Sequence, residues 1–328
     1  MKTRCLFSFS LALLLTTPAA AGTETIDQAV NAFNPLAYWR FESGAETLDS
    51  SPNGNTLEFE PGVVTGVNVR AGLGTGIRTN NGGAVTAAAN AALTSDSNYH
   101  WVAWVKKLGA NDPVDAAGVI GGHASDGGTT WNDPPGPGQT FPLAREGQRL
   151  QWNGNQRFIH VINGHVSDVG AEDSRDLHFD IGDFSQPSDQ RFEPVASQFY
   201  MVSVSVKDTG DSANPIKVDG DIYWRDAEGL DHHVQRDHTV PAGQLPLPPT
   251  TDTFWIGRHG HDGGVFEDAA FRFAGMIDEF AIFDGMLEDA DLQRIFEAGA
   301  VPEPSTLGLG LISLAGLGLG SRRRIRKE

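Results

Sequence analysis

Two groups of residues have types and short spacings that are typical of metal ligands. They are His232-His233 with His238, and His259 with His261-Asp262. Imidazole nitrogen and carboxylate oxygen are common ligands of zinc. Neighbouring residues of a strand point to opposite faces, so His232 and His233 do not readily share an ion, whereas His259 and His261 share a face in an extended segment. We expect solvated polar loops rather than metal sites, because these residue types are mostly exposed.

Motifs of known hydrolases and nucleotide-binding enzymes are absent from the sequence. It contains no Gly-x-Ser-x-Gly, no His-Glu-x-x-His and no phosphate-binding glycine loop. Glycosidic-bond hydrolysis needs two carboxyl groups at a fixed separation. The adjacent Asp278 and Glu279 lack the alternate spacing that puts two acids on one face of a regular strand. We therefore expect a protein without enzymatic activity.

The charge of the chain excludes some classes of partner. The 328 residues include 24 Lys and Arg against 42 Asp and Glu, for a net charge of −18. A surface this negative repels nucleic acid and anionic lipid, because both need basic residues to neutralise phosphate. It favours solubility outside the cell and, more specifically, affinity for divalent cations. Because Cys5 is the only cysteine, disulfides and thiolate metal sites are excluded.

The N-terminus has the three-part order of a secretory signal peptide. Lys2 and Arg4 precede an apolar run over residues 6–15, and a run of small residues ends at Ala21. We expect cleavage after Ala21, so residues 1–21, including Cys5, leave with the signal. An exported domain over residues 22–300 follows.

The C-terminus, residues 301–328, also has three parts in order. A Pro302-Glu303-Pro304 triplet precedes an apolar stretch over residues 307–320, and the chain then carries a basic cluster made of Arg322, Arg323, Arg324, Arg326 and Lys327. This order resembles the PEP-CTERM sorting tails of Gram-negative bacteria, in which the triplet is a processing signal for an exosortase. The resemblance implies a hydrophobic tail helix that is held temporarily in the inner membrane. The basic cluster would stay cytoplasmic, so the domain lies outside.

Between the two ends, the pattern predicts an all-β domain. Short segments with apolar residues at every second position are separated by Gly, Pro, Asp and Asn clusters. The alternation is clearest around Val202, Val204 and Val206, whose shared face we expect to pack inward while Ser203 and Ser205 occupy the other. The predicted strands cover residues 37–42, 56–59, 100–106, 149–152, 157–162, 199–207, 221–224, 254–257 and 273–283.

One helix and three long loops complete the predicted elements. Residues 288–298 place Leu292, Ile295 and Phe296 on one stripe, with acids in the first turn and Gly299 after the end. Residues 121–138, 167–175 and 242–252 are rich in turn-forming residues and are predicted to be loops. Loops of this length in a compact domain are usually binding loops or tolerated insertions.

The order of these segments resembles the laminin G-like, concanavalin A-like family from about Pro35 to Gly299. The resemblance is carried by residues 38–42, 49–55, 100–106, 201–207, 256–258 and 275–283. It implies a two-sheet antiparallel jelly-roll sandwich whose first and last segments pair, with a short C-terminal helix. The family often has Gly where Pro52 stands, and residues 108–194 do not align.

The same resemblance implies a structural calcium ion that joins the first strand to the last. Asp278 and Glu42 are its side-chain candidates, and Asn53 and Asn55 would contribute oxygens, with Asp49 beside them. Calcium needs six to eight oxygen ligands, which carboxylates and loop carbonyls supply. The alternative is that Asp278 caps a turn, Glu42 pairs with an arginine, and Asp49 with Asn53 builds an Asx turn.

Lectin-like members of such folds bind sugars through aromatic and polar loop residues, which here would be Trp131, Asn132, Asp133, His259 and Asp262. We therefore expect a noncatalytic protein that is exported, held at the inner membrane, processed by an exosortase and then surface-bound or secreted, where it binds extracellular polysaccharide or matrix. The alternatives are a glycan-cleaving hydrolase or lyase on the same fold and a structural adhesin that binds another protein.

Overall fold

The computed structural model describes residues 24–69, 74–79, 83–86, 93, 98–108, 118–123, 148–153, 157–166, 174–181, 192, 194–195, 198–240, 253–258 and 272–300. Within these ranges the chain forms strands β1 Ala37–Trp39, β2 Leu57–Phe59, β3 Val64–Asn68, β4 Thr75–Arg78, β5 Ala84–Thr86, β6 Asn98–Lys107, β7 Gly118–His123, β8 Arg149–Asn153, β9 Arg157–Val166, β10 Ser174–Ile181, β11 Tyr200–Asp208, β12 Ile216–Arg225, β13 Asp231–Val240, β14 Phe254–Ile256 and β15 Gly275–Phe283. The helices are α1 Ile26–Asn31 and α2 Asp289–Ala300.

The strands form two antiparallel sheets. Sheet A has the order β13-β12-β11-β6-β15-β4-β3, and β1 pairs with β15 beside this path. Sheet B has the order β10-β9-β8-β7-β14-β5-β2. The first strand therefore pairs with the last, with Ala37 opposite Ile282 and Trp39 opposite Phe280. This architecture confirms the predicted all-β class with two packed antiparallel sheets.

Aromatic side chains from both sheets fill the space between them. Phe254 of sheet B lies 5.2 Å from the ring of Trp101 and 5.5 Å from that of Phe280, both in sheet A, and 6.4 Å from that of Trp39. Such rings bury large apolar areas and prefer offset or edge-to-face contacts. The valines of β11 belong to the same core, as the alternation predicted.

A second apolar layer covers the opposite face of sheet A, which we call the helix-covered face. There α1 and α2 pack on the sheet, and the ring of Phe296 lies 5.6 Å from that of Trp104 and 5.4 Å from that of Tyr223. Ser203 and Ser205 point to this face and are buried there. The side of β11 opposite its valines is therefore internal as well.

Several predicted boundaries differ from the observed ones. The first strand was expected to reach residue 42 but ends at Trp39, because Phe41 adopts a positive φ of 54°, which breaks the extended backbone. Gly121 was predicted to start a loop but lies inside β7. A Cβ there would lie 2.6 Å from the Phe280 ring, so this glycine permits close packing between the sheets rather than a turn.

Other elements extend or confirm the prediction. The helix expected at residues 288–298 is α2, but it continues to Ala300 through Gly299, which was predicted to follow its end. Ser174 and Arg175, which were predicted to end the loop at 167–175, belong to β10, and residues 167–173 lie outside the described residues. Helix α1 was missed, although Thr25 and Gln28 form a capping box that is visible as Thr-x-x-Gln. The signal peptide, the loop at 242–252 and the tail helix lie outside the described residues. No helix in the described part of the chain is long and apolar enough to cross a membrane.

Candidate functional site

The main cluster of buried acids lies where β15 departs from regular pairing. Asp278 pairs with Trp104 and Phe280 with Ala103, so Glu279 is an extra residue in the strand, and its φ is 52°. Ile277 and Phe280 both belong to the core between the sheets. The bulge therefore turns Asp278 and Glu279 together toward the helix-covered face, which regular alternation would prevent.

Glu279 is held by the first strand. The Tyr38 hydroxyl donates a hydrogen bond to Glu279 Oε2, and Arg40 Nε lies 3.8 Å from Glu279 Oε1. Arg40 is shared among acids, since its nitrogens also lie 3.4 Å from Glu42 and 3.8 Å from Asp27. One guanidinium therefore faces three carboxylates, and Glu279 Oε1 accepts no hydrogen bond from any described residue.

Asp278 is a fully buried acid of the described structure. Its side chain is 0% exposed, and neither carboxylate oxygen has a hydrogen-bond partner among the described residues. Leaving a buried carboxylate unpaired costs several kcal/mol unless it takes up a proton or contacts a cation. The site therefore needs positive charge nearby. Among the described side chains, only Arg40 supplies it.

Glu42 completes the acidic cluster from the loop after β1. Its Oε2 accepts hydrogen bonds from the Thr75 amide at 3.3 Å and the Thr75 hydroxyl at 3.2 Å. Gly74 lies beside this carboxylate with a φ of 75°, a backbone conformation that favours glycine. Glu42 thus lies where the first strand, β4 and the bulge of β15 meet, and we call Glu42, Asp278 and Glu279 the acid cluster.

Two acids of this cluster, Asp278 and Glu279, have raised pKa values. Burial, together with the charges of Glu279 and Glu42, raises the pKa of Asp278 well above its usual range. Burial also raises the pKa of Glu279 to about 8, although the Tyr38 hydrogen bond and Arg40 oppose the change. At neutral pH Glu279 therefore retains its proton unless a cation neutralises the site.

The other calcium candidates belong to a separate hydrogen-bond network. The Asp49 carboxylate accepts hydrogen bonds from the amides of Tyr38, Ser51 and Asn55, the Ser51 hydroxyl and the Asn55 side chain, at 2.7–3.0 Å. The side-chain amides of Asn53 and Asn55 donate to the Leu36 carbonyl at 3.0 and 2.8 Å. These contacts are those of a turn anchored to β1, the alternative expected for this segment.

The described ranges contain no group of three or more His, Cys, Asp or Glu side chains arranged to hold an ion. The predicted opposition of His232 and His233 is observed. His232 stacks on Trp224 with ring centroids 4.9 Å apart, and His233 stacks on Tyr223 at 4.0 Å. These two rings therefore pack against different aromatic neighbours and do not converge on one point.

Each of these histidines also bonds its own acid. The Nε2 atom of His232 lies 2.6 Å from Asp226, and that of His233 lies 2.7 Å from Asp221. Both rings therefore help to order the edge of sheet A. His238 is exposed on the same strand, so all three histidines lie on β13 and the expectation of a polar loop here was wrong.

A buried His–Ser pair, missed by sequence reasoning, resembles a nucleophile with its base. His100 Nε2 bonds the Ser203 hydroxyl, but the Leu287 amide donates to His100 Nδ1 at 2.8 Å. Nδ1 is thus the acceptor, so Nε2 carries the proton and cannot take one from Ser203. Burial lowers the pKa of His100 to about 3, and Ser203 is 0% exposed. The pair therefore supports packing rather than nucleophilic catalysis.

The predicted sugar-binding residues Trp131, Asn132, Asp133, His259 and Asp262 lie outside the described residues, as does His261. The strands that flank them are described. Because β7 and β14 are antiparallel, with Phe254 opposite His123, the last residues of the two strands, His123 and Ile256, lie at opposite ends of their ladder. Between these ends, Trp255 points to the outer face of sheet B, since Phe254 and Ile256 face the core.

Trp255 is partly exposed on that outer face. The Arg258 guanidinium lies 4.9 Å from its ring centroid and is fixed by Glu60 at 2.6 Å. The indole Nε1 is buried and has no hydrogen-bond acceptor within the described part of the chain. Ligands that have both polar groups and apolar faces can bind to an aromatic ring beside a cation.

Comparison with known proteins identifies the tail. Residues 300–324 match the PEP-CTERM protein-sorting motif. The chain is therefore exported with a sorting signal that holds it at the membrane before exosortase processing. No curated protein matches the sequence.

Solved structures that resemble the sandwich are distant. A Trypanosoma rangeli sialidase in complex with sialic acid has 12% identity and a TM-score of 0.44, and the match covers 85% of this chain but 38% of the sialidase. The alginate lyase from Aplysia kurodai has 13% identity and a TM-score of 0.32, covering 71% of this chain and 84% of the lyase. The alginate lyase vAL-1 from Chlorella virus has 12% identity and a TM-score of 0.35, covering 70% and 92%. Similarity at this level carries no argument about function.

The raised pKa values predict that stability without calcium falls as the pH rises. The pKa of Glu279 changes from a usual value near 4.5 to about 8 on folding, so between these values the folded state binds more protons than the unfolded state. In EGTA, the melting temperature of the exported domain should therefore fall from pH 5 to pH 8, by about 2–4 °C for each kcal/mol lost. Thermal unfolding followed by circular dichroism measures this change.

Glu279→Gln is the matched variant, because it removes the titrating group and keeps the shape. Its melting temperature should depend less on pH across the same range. If the wild-type protein in EGTA were equally stable at pH 5 and pH 8, folding would not raise the pKa of Glu279 as described.

Proposed function

We propose that this protein is released from the inner membrane by an exosortase and then binds extracellular polysaccharide at the cell surface or in the medium, without cleaving it. The observation that carries the proposal is the match of residues 300–324 to a protein-sorting motif, because export with such a motif puts the sandwich outside the cell. The buried His–Ser pair and the buried acids support a noncatalytic role, since none of them is accessible to a polymer.

The outer face of sheet B is the surface we assign to the polysaccharide. The helix-covered face of sheet A is closed by α1 and α2, whereas Trp255 remains partly exposed on sheet B. Trp131 and His259, which were predicted from the sequence, lie outside the described residues and do not enter this assignment. The net charge of −18 disfavours carboxylated or sulfated polymers, so we expect a neutral polysaccharide.

Calcium is proposed as the structural ion of the acid cluster. The fit rests on the three carboxylate oxygens of Asp278 and Glu279 that lack hydrogen-bond partners among the described residues. Calcium prefers carboxylate oxygens together with carbonyl and water oxygens. The acids of this cluster would supply only some of these ligands. Asp278 and Glu279 would supply the carboxylate ligands and the ion would neutralise their buried charge. Glu42 is not arranged with them as a third ligand within the described ranges, so carbonyl or water oxygens would supply the rest.

Processing at both ends is the first test of the proposed function. The mature protein should begin at Gly22 and should lack the basic cluster at residues 322–327 together with the apolar stretch before it. Intact mass spectrometry of the protein purified from cell and medium fractions measures both cuts. An intact chain, with its signal and its basic end still present, would refute export and processing.

Substitution of the partly exposed Trp255 tests the binding surface. Trp255→Ala should weaken the binding of a neutral polysaccharide about tenfold, because the ring on which a sugar stacks is lost. Affinity electrophoresis with a panel of neutral and anionic polysaccharides gives the comparison. Trp224→Ala, on β12 of the other sheet, is the control and should bind like the wild type.

The same incubations also test catalysis. We expect bound polysaccharide to keep its chain length, which size-exclusion chromatography reports. Shortened chains would make the protein an enzyme, and equal binding by both tryptophan variants would remove the assignment to sheet B.

Calcium should stabilise the protein through the acid cluster. At a concentration 100 times its Kd, a bound ion adds about 2.7 kcal/mol to the free energy of unfolding, which raises the melting temperature by several degrees. Asp278→Asn should abolish this increase. Asp221→Asn, which removes another buried acid of the same sheet, should retain it. A calcium-dependent increase that persists in Asp278→Asn would place the ion elsewhere.

A further inference from the structure

We propose that Arg225 is a positioning residue for tail processing: it fixes the end of α2 to the sandwich and so restrains the sorting motif until this contact opens. The inference rests on the exosortase processing proposed above. It concerns described residues of the body, at the point where the sorting tail begins.

The sorting motif begins inside the folded domain. Its match starts at residue 300, and Ala300 is the last residue of α2, where it is 4% exposed. Arg225 Nη1 donates a hydrogen bond to the Ala300 carbonyl at 2.8 Å. Carbonyls of the last helical turn lack intrahelical partners and carry partial negative charge, so a guanidinium is a strong partner for them.

Arg225 is itself held rigidly. Its Nε and Nη2 atoms donate to the two carboxylate oxygens of Asp231 at 2.6 and 2.8 Å, across the turn that joins β12 to β13. This bidentate geometry fixes the plane of the guanidinium. The remaining nitrogen therefore points at Ala300 without further loss of side-chain freedom, and the contact is pre-formed.

The last turn of α2 also packs without a gap on the layers below it. A Cβ at Gly299 would lie 2.7 Å from Trp104 Cζ2 and 2.9 Å from Ile26 Cδ1. Only glycine permits this approach, so the helix end lies directly on β6 and α1. Releasing Ala300 requires both the Arg225 hydrogen bond and part of this packing to break.

The short distance along the chain makes this restraint matter for the processing enzyme. Glu303 follows Ala300 by three residues, and an extended chain spans at most about 3.6 Å per residue, or roughly 11 Å in total. Pro302 also disfavours helical backbone at Val301. An enzyme that binds an extended segment on both sides of the triplet needs the last turn of α2 to detach, so processing proceeds from the detached state.

The experiment follows processing of the full chain in a Gram-negative host that has an exosortase. A pulse-chase measurement gives the rate at which the precursor becomes the shortened form. Arg225→Gln should raise this rate by about tenfold at most, the factor expected when one charge-assisted hydrogen bond no longer holds the closed state. Arg294→Gln is the control. Arg294 lies on the same helix as Ala300, and its substitution breaks an exposed ion pair with Glu24 but leaves the Ala300 contact in place.

A second variant keeps every folded contact. A flexible Gly and Ser linker of about six residues, inserted between Ala300 and Val301, moves the triplet away from the body. Processing should then accelerate to the same extent, and Arg225→Gln should add nothing further. Wild-type rates in both the insertion and the Arg225→Gln variants would overturn the proposal. Absence of any processing in the wild-type chain would instead overturn the proposed function.

Discussion

The antiparallel pairing of β1 with β15 is the constraint on which the rest of the structure depends. Tyr38 and Glu279, which are 241 positions apart in the sequence, meet because of it. Closing a chain segment of this length costs conformational entropy that grows slowly with length, so the pairing can be maintained by a modest number of buried contacts. Trp39 and Phe280, opposite each other in this ladder, supply part of them in the aromatic core.

The same pairing buries two carboxylates next to a single guanidinium. The bulge in β15 turns Asp278 and Glu279 under the first strand, where Tyr38 and Arg40 offer one hydroxyl and one guanidinium. A buried carboxylate without a partner favours its protonated form, and the raised pKa values express this preference. Stability of the sheet closure is therefore tied to how positive charge, as protons or as a cation, is supplied to the acid cluster.

Sequence reasoning identified the fold class and the paired ends from local pattern and family resemblance. Alternation of Val202, Val204 and Val206 and the stripe of Leu292, Ile295 and Phe296 are visible in short windows. Resemblance also selected Glu42 and Asp278. Glu279 was missed as a member of the cluster, because a bulge overrides strict alternation, and only the left-handed backbone at this residue reveals it. Gly121 was interpreted as a turn residue for a similar reason, since its role is to admit the Phe280 ring from the opposite sheet.

The two proposed roles, tail processing and polysaccharide binding, involve opposite faces of the sandwich. The helix-covered face of sheet A carries both described ends of the main body, with Glu24 bonded to Arg294 and Ala300 bonded to Arg225. The outer face of sheet B carries Trp255, and two sheets about 10 Å apart separate the faces. A polymer on sheet B would therefore not obstruct an enzyme that acts at the end of α2. Because the ends and the binding surface do not compete for space, release from the membrane and attachment to a polysaccharide can occur in either order.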